Sequence, residues 1–323
     1  MRKPLLAPRV AETPYPARDG EDPVNRRDFI ASSAALAAGS ALPTLAVGHQ
    51  PPAPPVPSSP DTTPSLPGKL KGNINHSVCA WCYGGMPLEK LCEQAASIGM
   101  KSVELLGEDQ WATAKKHGLT CAVAGQVRTN PIHRGWNRVE HHDSILADLE
   151  ARLPKVKEAG IPAQIVFSGN RKGVTDEAGL EACAAGLKRV TPLAEKLGVT
   201  LVMELLNSRV DHKDYQCDRT PWGVELVRRV GSPRFKLLYD VYHMQIMEGD
   251  VIRTIRDNIT HIGHVHTGGN PGRNEIDQSQ ELNYGAICRA LVEKRYTGYV
   301  GQEFIPTRDP ITSLREAVAI CDI

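Results

Sequence analysis

The chain has 323 residues, with 38 basic and 37 acidic side chains, a net charge of +1, 41% hydrophobic residues and 5% aromatic residues. Such a balance gives no electrostatic footprint for nucleic acid or for a membrane surface, and so few aromatics build no stacking platform for single strands. The eight cysteines, spread from Cys79 to Cys321, are not the dense framework of a small secreted scaffold.

Near the N-terminus, Asn25-Arg26-Arg27-Asp28-Phe29-Ile30 precedes an alanine-rich run ending at Leu42. A twin arginine, a phenylalanine and a modestly apolar stretch predict a twin-arginine export signal over residues 1–48, and hence a periplasmic protein. The apolar run is too short to span a bilayer, so no membrane span is expected in the mature form. No acidic residue occurs between Phe29 and Pro60, and prolines follow at once, which argues against a first helix of the fold. The proline-rich residues 49–72 read as an extended spacer.

From residue 73 to 323 the pattern changes to a short apolar run, a turn and a helical stretch, repeated eight times. Strands are expected at 76–81, 102–106, 120–125, 163–168, 200–206, 235–241, 261–267 and 299–305. Helical patterns between them include 87–98, 142–158, 177–197, 221–230, 251–258 and 284–294. Pro87 suits a first helical position, Gly99, Gly160 and Gly198 suit helix ends, and Pro154 predicts a kink or break. Eight β–α units in about 250 residues predict a closed parallel (β/α)8 TIM barrel. No G-x-G-x-x-G follows the first strand, so an open dinucleotide-binding sheet has no support. Cys79-Ala-Trp-Cys82 falls in the first expected strand with no second pair at zinc spacing, and reads as buried core thiols.

Chemistry in such a barrel belongs at the C-terminal ends of the strands. Four apolar runs end in a residue able to bind a metal: Leu201-Val-Met-Glu204, Phe235 to Asp240, His261 to His266, and Tyr299 to Glu303. Residues two apart on a strand face the same way. Glu204, Asp240, His266 and Glu303 therefore share a face with Val202, Leu238, His264 and Gly301 respectively. If that face is the barrel interior, all four converge at its rim. Taken singly, each reads equally well as a rim salt-bridge partner or a satisfied core histidine. Together, three carboxylates in one small space repel one another unless a cation compensates them. Three oxygen donors and one imidazole suit Mn²⁺, Mg²⁺ or Co²⁺, and Zn²⁺ is compatible. His264, one layer deeper, reads as a core residue or a hydrogen-bond donor to a ligand. His141 and His142 read as helix-capping and surface residues, and His133 lies on a long loop where substrate contact is plausible.

Over about residues 73–320 the chain resembles the xylose isomerase-like barrel superfamily, and within it the hydroxypyruvate isomerase family. The resemblance rests on Ser102-Val-Glu-Leu105, Met203-Glu204, Asp240-Val-Tyr-His243, Gly272-Arg-Asn-Glu275 with Glu281-Leu-Asn-Tyr284, and Gly301-Gln-Glu-Phe304. It implies that Glu204 and Glu303 bind the metal and also move protons, that Asp240 is a third ligand, and that His243 and Arg273 contact substrate. Hydroxypyruvate isomerases usually carry glutamine at the seventh-strand ligand, where this chain has His266; histidine there is similar to the ketose 3-epimerases. The implied activity is metal-dependent isomerisation of a small hydroxy-carbonyl compound. The alternatives are a ketose 3-epimerase, a metal-dependent endonuclease, which the near-neutral charge disfavours, and a non-catalytic binding barrel. The sequence leaves a homo-oligomer open.

Overall fold

The computed structural model describes residues 69–323. The export signal over 1–48 and the spacer up to residue 68 lie outside the described residues. Eight strands form one parallel sheet: β1 (Asn75–Cys79), β2 (Ser102–Glu104), β3 (Val123–Ala124), β4 (Ala163–Val166), β5 (Thr200–Glu204), β6 (Phe235–Asp240), β7 (Ile262–Thr267) and β8 (Tyr299–Gln302). Their order is β2-β1-β8-β7-β6-β5-β4-β3. The two ends of that sheet meet through isolated parallel bridges, Ser102 to Thr120 and Leu106 to Ala124, which bring the barrel to near closure.

The helices are α1 (Leu88–Ile98), α2 (Trp111–Lys116), α3 (Val139–Glu158), α4 (Asp176–Leu197), α5 (Thr220–Val230), α6 (Val241–Met247), α7 (Val251–Asn258), α8 (Tyr284–Glu293) and α9 (Pro310–Cys321). Local chemistry sets their limits. Thr175, Asn283 and Asp309 cap the N-termini of α4, α8 and α9 by accepting a backbone N–H. Gly99 and Gly198 end α1 and α4 in the left-handed conformation, where a Cβ would be strained. On α3, Ile145, Leu149, Leu153 and Val156 fall on one face and are all fully buried. No helix among the described residues is long and apolar enough to cross a membrane.

Several sequence expectations need correction. Helix α3 runs on through Pro154 without interruption. Pro154 and Glu150 both lie on the exposed face, where water can satisfy the carbonyl that proline leaves free, while the buried face holds the turn in place. The first strand stops at Cys79, and Ala80–Tyr83 forms a 3₁₀ turn, so Cys79 and Cys82 are not two positions of one strand. All eight cysteines are nonetheless buried and unpaired. His142 is buried rather than on the surface, with Nε2 2.9 Å from the Trp136 carbonyl oxygen. His141 is half-buried beside the Gly135 carbonyl, and neither histidine caps α3. Helices α2 and α9 fill the β–α units after β2 and β8, for which no helical range was given, and α6 is an additional short helix between β6 and α7.

Candidate metal centre and active site

Each of the four strand-end residues is delivered by its own element. Glu204 is the last residue of β5 and Asp240 the last of β6, His266 lies in β7, and Glu303 follows β8 directly. Asp240 pairs in register with His266, and His266 with Gly301, two residues before Glu303. The chain passes from β6 straight into α6, and Asp240 Oδ1 accepts the His243 N–H at 3.2 Å as its N-cap. That bond fixes the carboxylate and explains the three-residue spacing between Asp240 and His243.

The four side chains converge as expected. One donor atom from each of Glu204, Asp240, His266 and Glu303 lies within 4.8 Å of the others, and all four residues are buried. His266 Nδ1 is 2.8 Å from Glu303 Oε2 and 3.5 Å from Glu204 Oε1. Glu204 Oε1 and His266 Nδ1 are buried with no well-directed hydrogen-bond partner. Orphaned donors of this kind, in a set of three carboxylates and an imidazole, are what a divalent cation would satisfy, so the residues fit a metal.

Arg273 supplies positive charge at the same place. Its Nη2 lies 2.6 Å from Glu303 Oε2 and 3.2 Å from Asp240 Oδ2, and its guanidinium stands 5.2 Å from the Trp81 ring centroid and 5.3 Å from that of Tyr242. Arg273 Nη1 has no hydrogen-bond partner among the described residues. The loop carrying it is tied down by Glu275, which accepts from the Thr307 N–H and hydroxyl and from Ser313. The loop is held again by Tyr284, whose hydroxyl meets both the N–H and the carbonyl of Gly268. The motifs around Glu275 and Tyr284 thus brace the arginine rather than touch the centre.

The electrostatics are uneven. Burial pushes the Glu204 carboxyl above its ordinary range, against the pull of His266 and with the push of Glu303. Burial likewise pushes Asp240 up to about 8, with Arg273 opposing. Burial also acts upward on Glu303, but Arg273, His266 and the Trp81 N–H outweigh it and hold that carboxyl well below the usual range. For His266, burial acts downward and is outweighed by Cys79, Glu303 and Glu104. Binding a cation at Nδ1 requires that nitrogen to be unprotonated.

His243 is fully buried beside Asp240, with Nε2 3.6 Å from Asp240 Oδ2, rather than on the wall of the cleft. Asn207 Oδ1 accepts from the N–H groups of Val210 and Asp211, which orients the amide so that Nδ2 donates to His243 Nδ1 at 2.6 Å. The proton of His243 is then on Nε2, facing the centre. Burial, then Arg273, holds this imidazole well below its ordinary value and therefore neutral.

A cleft of about 500 Å³ opens onto Glu204 and Glu303, with Trp81, His212 and Arg273 on its polar side and Leu105, Ile165 and Phe167 on its apolar wall. Ile132 lines it, whereas His133 is exposed and does not. Sequence reasoning missed Trp81, Glu104, Asn207 and His212. Trp81 Nε1 donates to Glu303 Oε1 at 2.7 Å, and the His212 ring meets His243 edge-on at 5.3 Å. Glu104 ends β2 as a buried carboxylate, a signal of the same kind as the other four strand ends.

The xylose isomerase-like TIM barrel family matches residues 92–322. The chain is 30% identical over 237 residues to the hydroxypyruvate isomerase of Escherichia coli K12, covering 69% of this chain and 90% of that protein. It is 37% identical over 109 residues to the 2-oxo-tetronate isomerase of Cupriavidus necator, covering 34% of this chain and 41% of that one. For several relatives the match is shorter than the whole: the chain spans about half the length of a Danio rerio relative, 50%. Among solved structures, an AP endonuclease, family 2, from Brucella melitensis superposes with a TM-score of 0.67 at 23% identity, covering 75% of this chain and 97% of that one, a likeness of fold. The chain belongs to the xylose isomerase-like TIM barrel family and has hydroxypyruvate isomerases among its homologues.

Proposed function

We propose that the protein is a metal-dependent isomerase of a small hydroxy-carbonyl compound of the hydroxypyruvate/tartronate semialdehyde type. The observation that carries this reading is that Glu204 and Glu303, from strands three apart in the barrel, meet at one cleft with Asp240 and His266 between them. A divalent cation held by these four residues would supply Lewis-acid polarisation of the carbonyl and its neighbouring hydroxyl. The identity of the homologues supports the substrate class.

The chain's own groups move the protons. One glutamate removes a proton from C3, the hydroxymethyl carbon of hydroxypyruvate. The other glutamate provides a proton to C2, and the hydroxyl proton passes from O3 to O2. The ketone becomes a secondary alcohol and the primary alcohol becomes an aldehyde, with no net gain or loss. Glu204 has a free oxygen, and Glu303 is gripped by Trp81 and Arg273, so the two differ in freedom. The direction of reaction decides which one begins. Arg273 offers Nη1 to a substrate carboxylate, and His243, buried behind Asp240, turns its Nε2 proton to the Asp240 side of the centre rather than to the substrate.

A ketose 3-epimerase is the second reading, favoured by histidine rather than glutamine at residue 266. There the same two glutamates would remove and return a proton at one carbon from opposite faces. Product analysis after incubation with hydroxypyruvate, D-fructose and D-tagatose separates the two. The twin-arginine motif supports export, which cell fractionation of the full chain tests.

The decisive experiment replaces Glu204 and Glu303 singly by glutamine and follows turnover and deuterium uptake from D2O. We expect about 10²–10⁴-fold loss of turnover in each, with the circular dichroism of the barrel unchanged. Full activity in both variants would remove the acid–base assignment.

A further inference from the structure

We propose that Glu104 is a positioning residue for the centre: one of its oxygens takes the Nε2 protons of both His264 and His266, and so aims the Nδ1 lone pair of His266 at Glu204, Asp240 and Glu303. This rests on the metal-centre reading above. His264 Nε2 and His266 Nε2 each lie 2.7 Å from Glu104 Oε1. A carboxylate can only accept, so both nitrogens donate and carry the hydrogen. The other nitrogen of His266 faces the four-residue centre; it lies 2.8 Å from Glu303 Oε2 without the alignment of a hydrogen bond.

Three further observations point the same way. Glu104 is fully buried, and its recorded partners are the two imidazoles and the Cys79 thiol at 3.7 Å, with no lysine or arginine. A buried carboxylate so placed is a poor device for stability alone, because its desolvation is costly and a well-packed apolar side chain does as well. Second, the His264 ring stands at 89° to that of His266, 4.9 Å away, and wedges it from below. Third, β8 makes room for the carboxylate: a Cβ on Gly301 would come within 2.6 Å of Glu104 Oε1 and 2.9 Å of His266 Cδ2.

Cys79, Glu104 and His266 also lie close enough to be taken for a second metal site. The 2.7 Å separations are hydrogen-bond lengths, and a nitrogen that carries a proton toward Glu104 has no lone pair for an ion. The lower cluster is therefore a support for the upper one, the arrangement by which a carboxylate orients a ligating histidine.

The test uses the full chain, with Glu104→Gln, which keeps shape and removes the charge, and Gly301→Ala, which removes no polar group and crowds both the carboxylate and the edge of the His266 ring. Mn²⁺ affinity is measured by equilibrium dialysis, folding by circular dichroism, and histidine protonation by ¹⁵N-resolved NMR of metal-free protein. The expected result is about a tenfold to hundredfold loss of Mn²⁺ affinity in both folded variants, and slowly exchanging Nε2–H signals from His264 and His266 in the wild type. Wild-type affinity within twofold in both variants overturns the proposal, as does a metal-free wild type in which His266 Nε2 carries no proton. If Glu104→Gln does not fold, the wild-type NMR spectrum decides. A wild type that shows the Nε2–H signals but binds no Mn²⁺ sinks the metal reading and this proposal with it. Normal wild-type binding with unaffected variants sinks this proposal alone.

Discussion

The indole of Trp81 donates to Glu303 Oε1 at 2.7 Å from a residue that is itself 47% exposed. A glutamate at the heart of the centre is thus oriented by a side chain at its rim, and the same ring stacks against the guanidinium of Arg273. Replacing Trp81 by phenylalanine keeps the ring and removes the donor. A hydrogen bond to a charged group contributes roughly 1.5–3 kcal/mol, so kcat/KM should fall about 10–100-fold with the barrel intact. Steady-state kinetics on Trp81→Phe beside circular dichroism checks this; unchanged kcat/KM would mean that Glu303 needs no such support.

Arg273 donates from Nε and Nη2 to Glu303 and Asp240, and its Nη1 makes no hydrogen bond among the described residues. Arg273→Lys keeps the charge and loses the planar fork. With hydroxypyruvate, kcat/KM should drop about 100-fold, a carboxylate-recognition loss of roughly 3 kcal/mol. With an uncharged ketose the drop should be at least about tenfold smaller. Equal losses on the two substrates would assign Arg273 to holding the two carboxylates rather than to recognising an acid.

Removing metal should cost both activity and stability. Glu204, Asp240 and Glu303 lie within reach of a common ion, and a ligand that binds only the folded state at 100 times its Kd stabilises by about 2.7 kcal/mol. Dialysis against a chelator should abolish turnover and lower the melting temperature, and Mn²⁺ or Co²⁺ should restore both. Calorimetry with and without the ion reads the shift, and a melting curve indifferent to metal would contradict a buried cation.

Acid should weaken the loop that carries Arg273. Burial acts upward on the Glu275 carboxyl, but its own N–H, the Thr307 N–H and hydroxyl and the Ser313 hydroxyl outweigh it and hold it at about 2, below the ordinary 4.5. The folded state therefore binds this proton less readily than the unfolded one. The stabilisation is full above about pH 4.5 and is lost as pH falls toward 2. At neutral pH, Glu275→Gln should destabilise by about 1–3 kcal/mol, and its stability should fall less steeply than that of the wild type below pH 4.5. Urea unfolding at several pH values measures both, and parallel pH curves for the two proteins would refute it.

The four-residue centre was legible because each donor interrupts an apolar run at a strand end, and period-two alternation places it on the inner face. The same rule applies to Glu104, yet there the run is three residues long and the carboxylate sits where the resemblance motif, not the chemistry, drew attention. Trp81 was hidden because Cys79-Ala-Trp-Cys82 reads as strand, and only the turn after Cys79 swings the indole toward Glu303. Asn207 and His212 act through His243, a relation between loops that no local pattern encodes. Pro154 misled because propensity speaks for an isolated helix, while four buried side chains on one face of α3 hold it straight through the proline.

The barrel has a seam. Between β2 and β3 the sheet is joined by two isolated bridges, and β3 is only Val123–Ala124. The residues just beyond those strands, Leu105 and Gly107 on one side and Gly125 and Gln126 on the other, form part of the cleft wall. This stretch of the cleft wall therefore hangs on the junction of two short strands, crossed by the backbone N–H bonds of Val103, Leu105, Thr120 and Gly125. Tolerance for substrate size is expected to be written there, in how easily two strands part, rather than among the charged groups of the four-residue cluster. Amide exchange faster at Val123 and Ala124 than along β5 and β6 would be its signature.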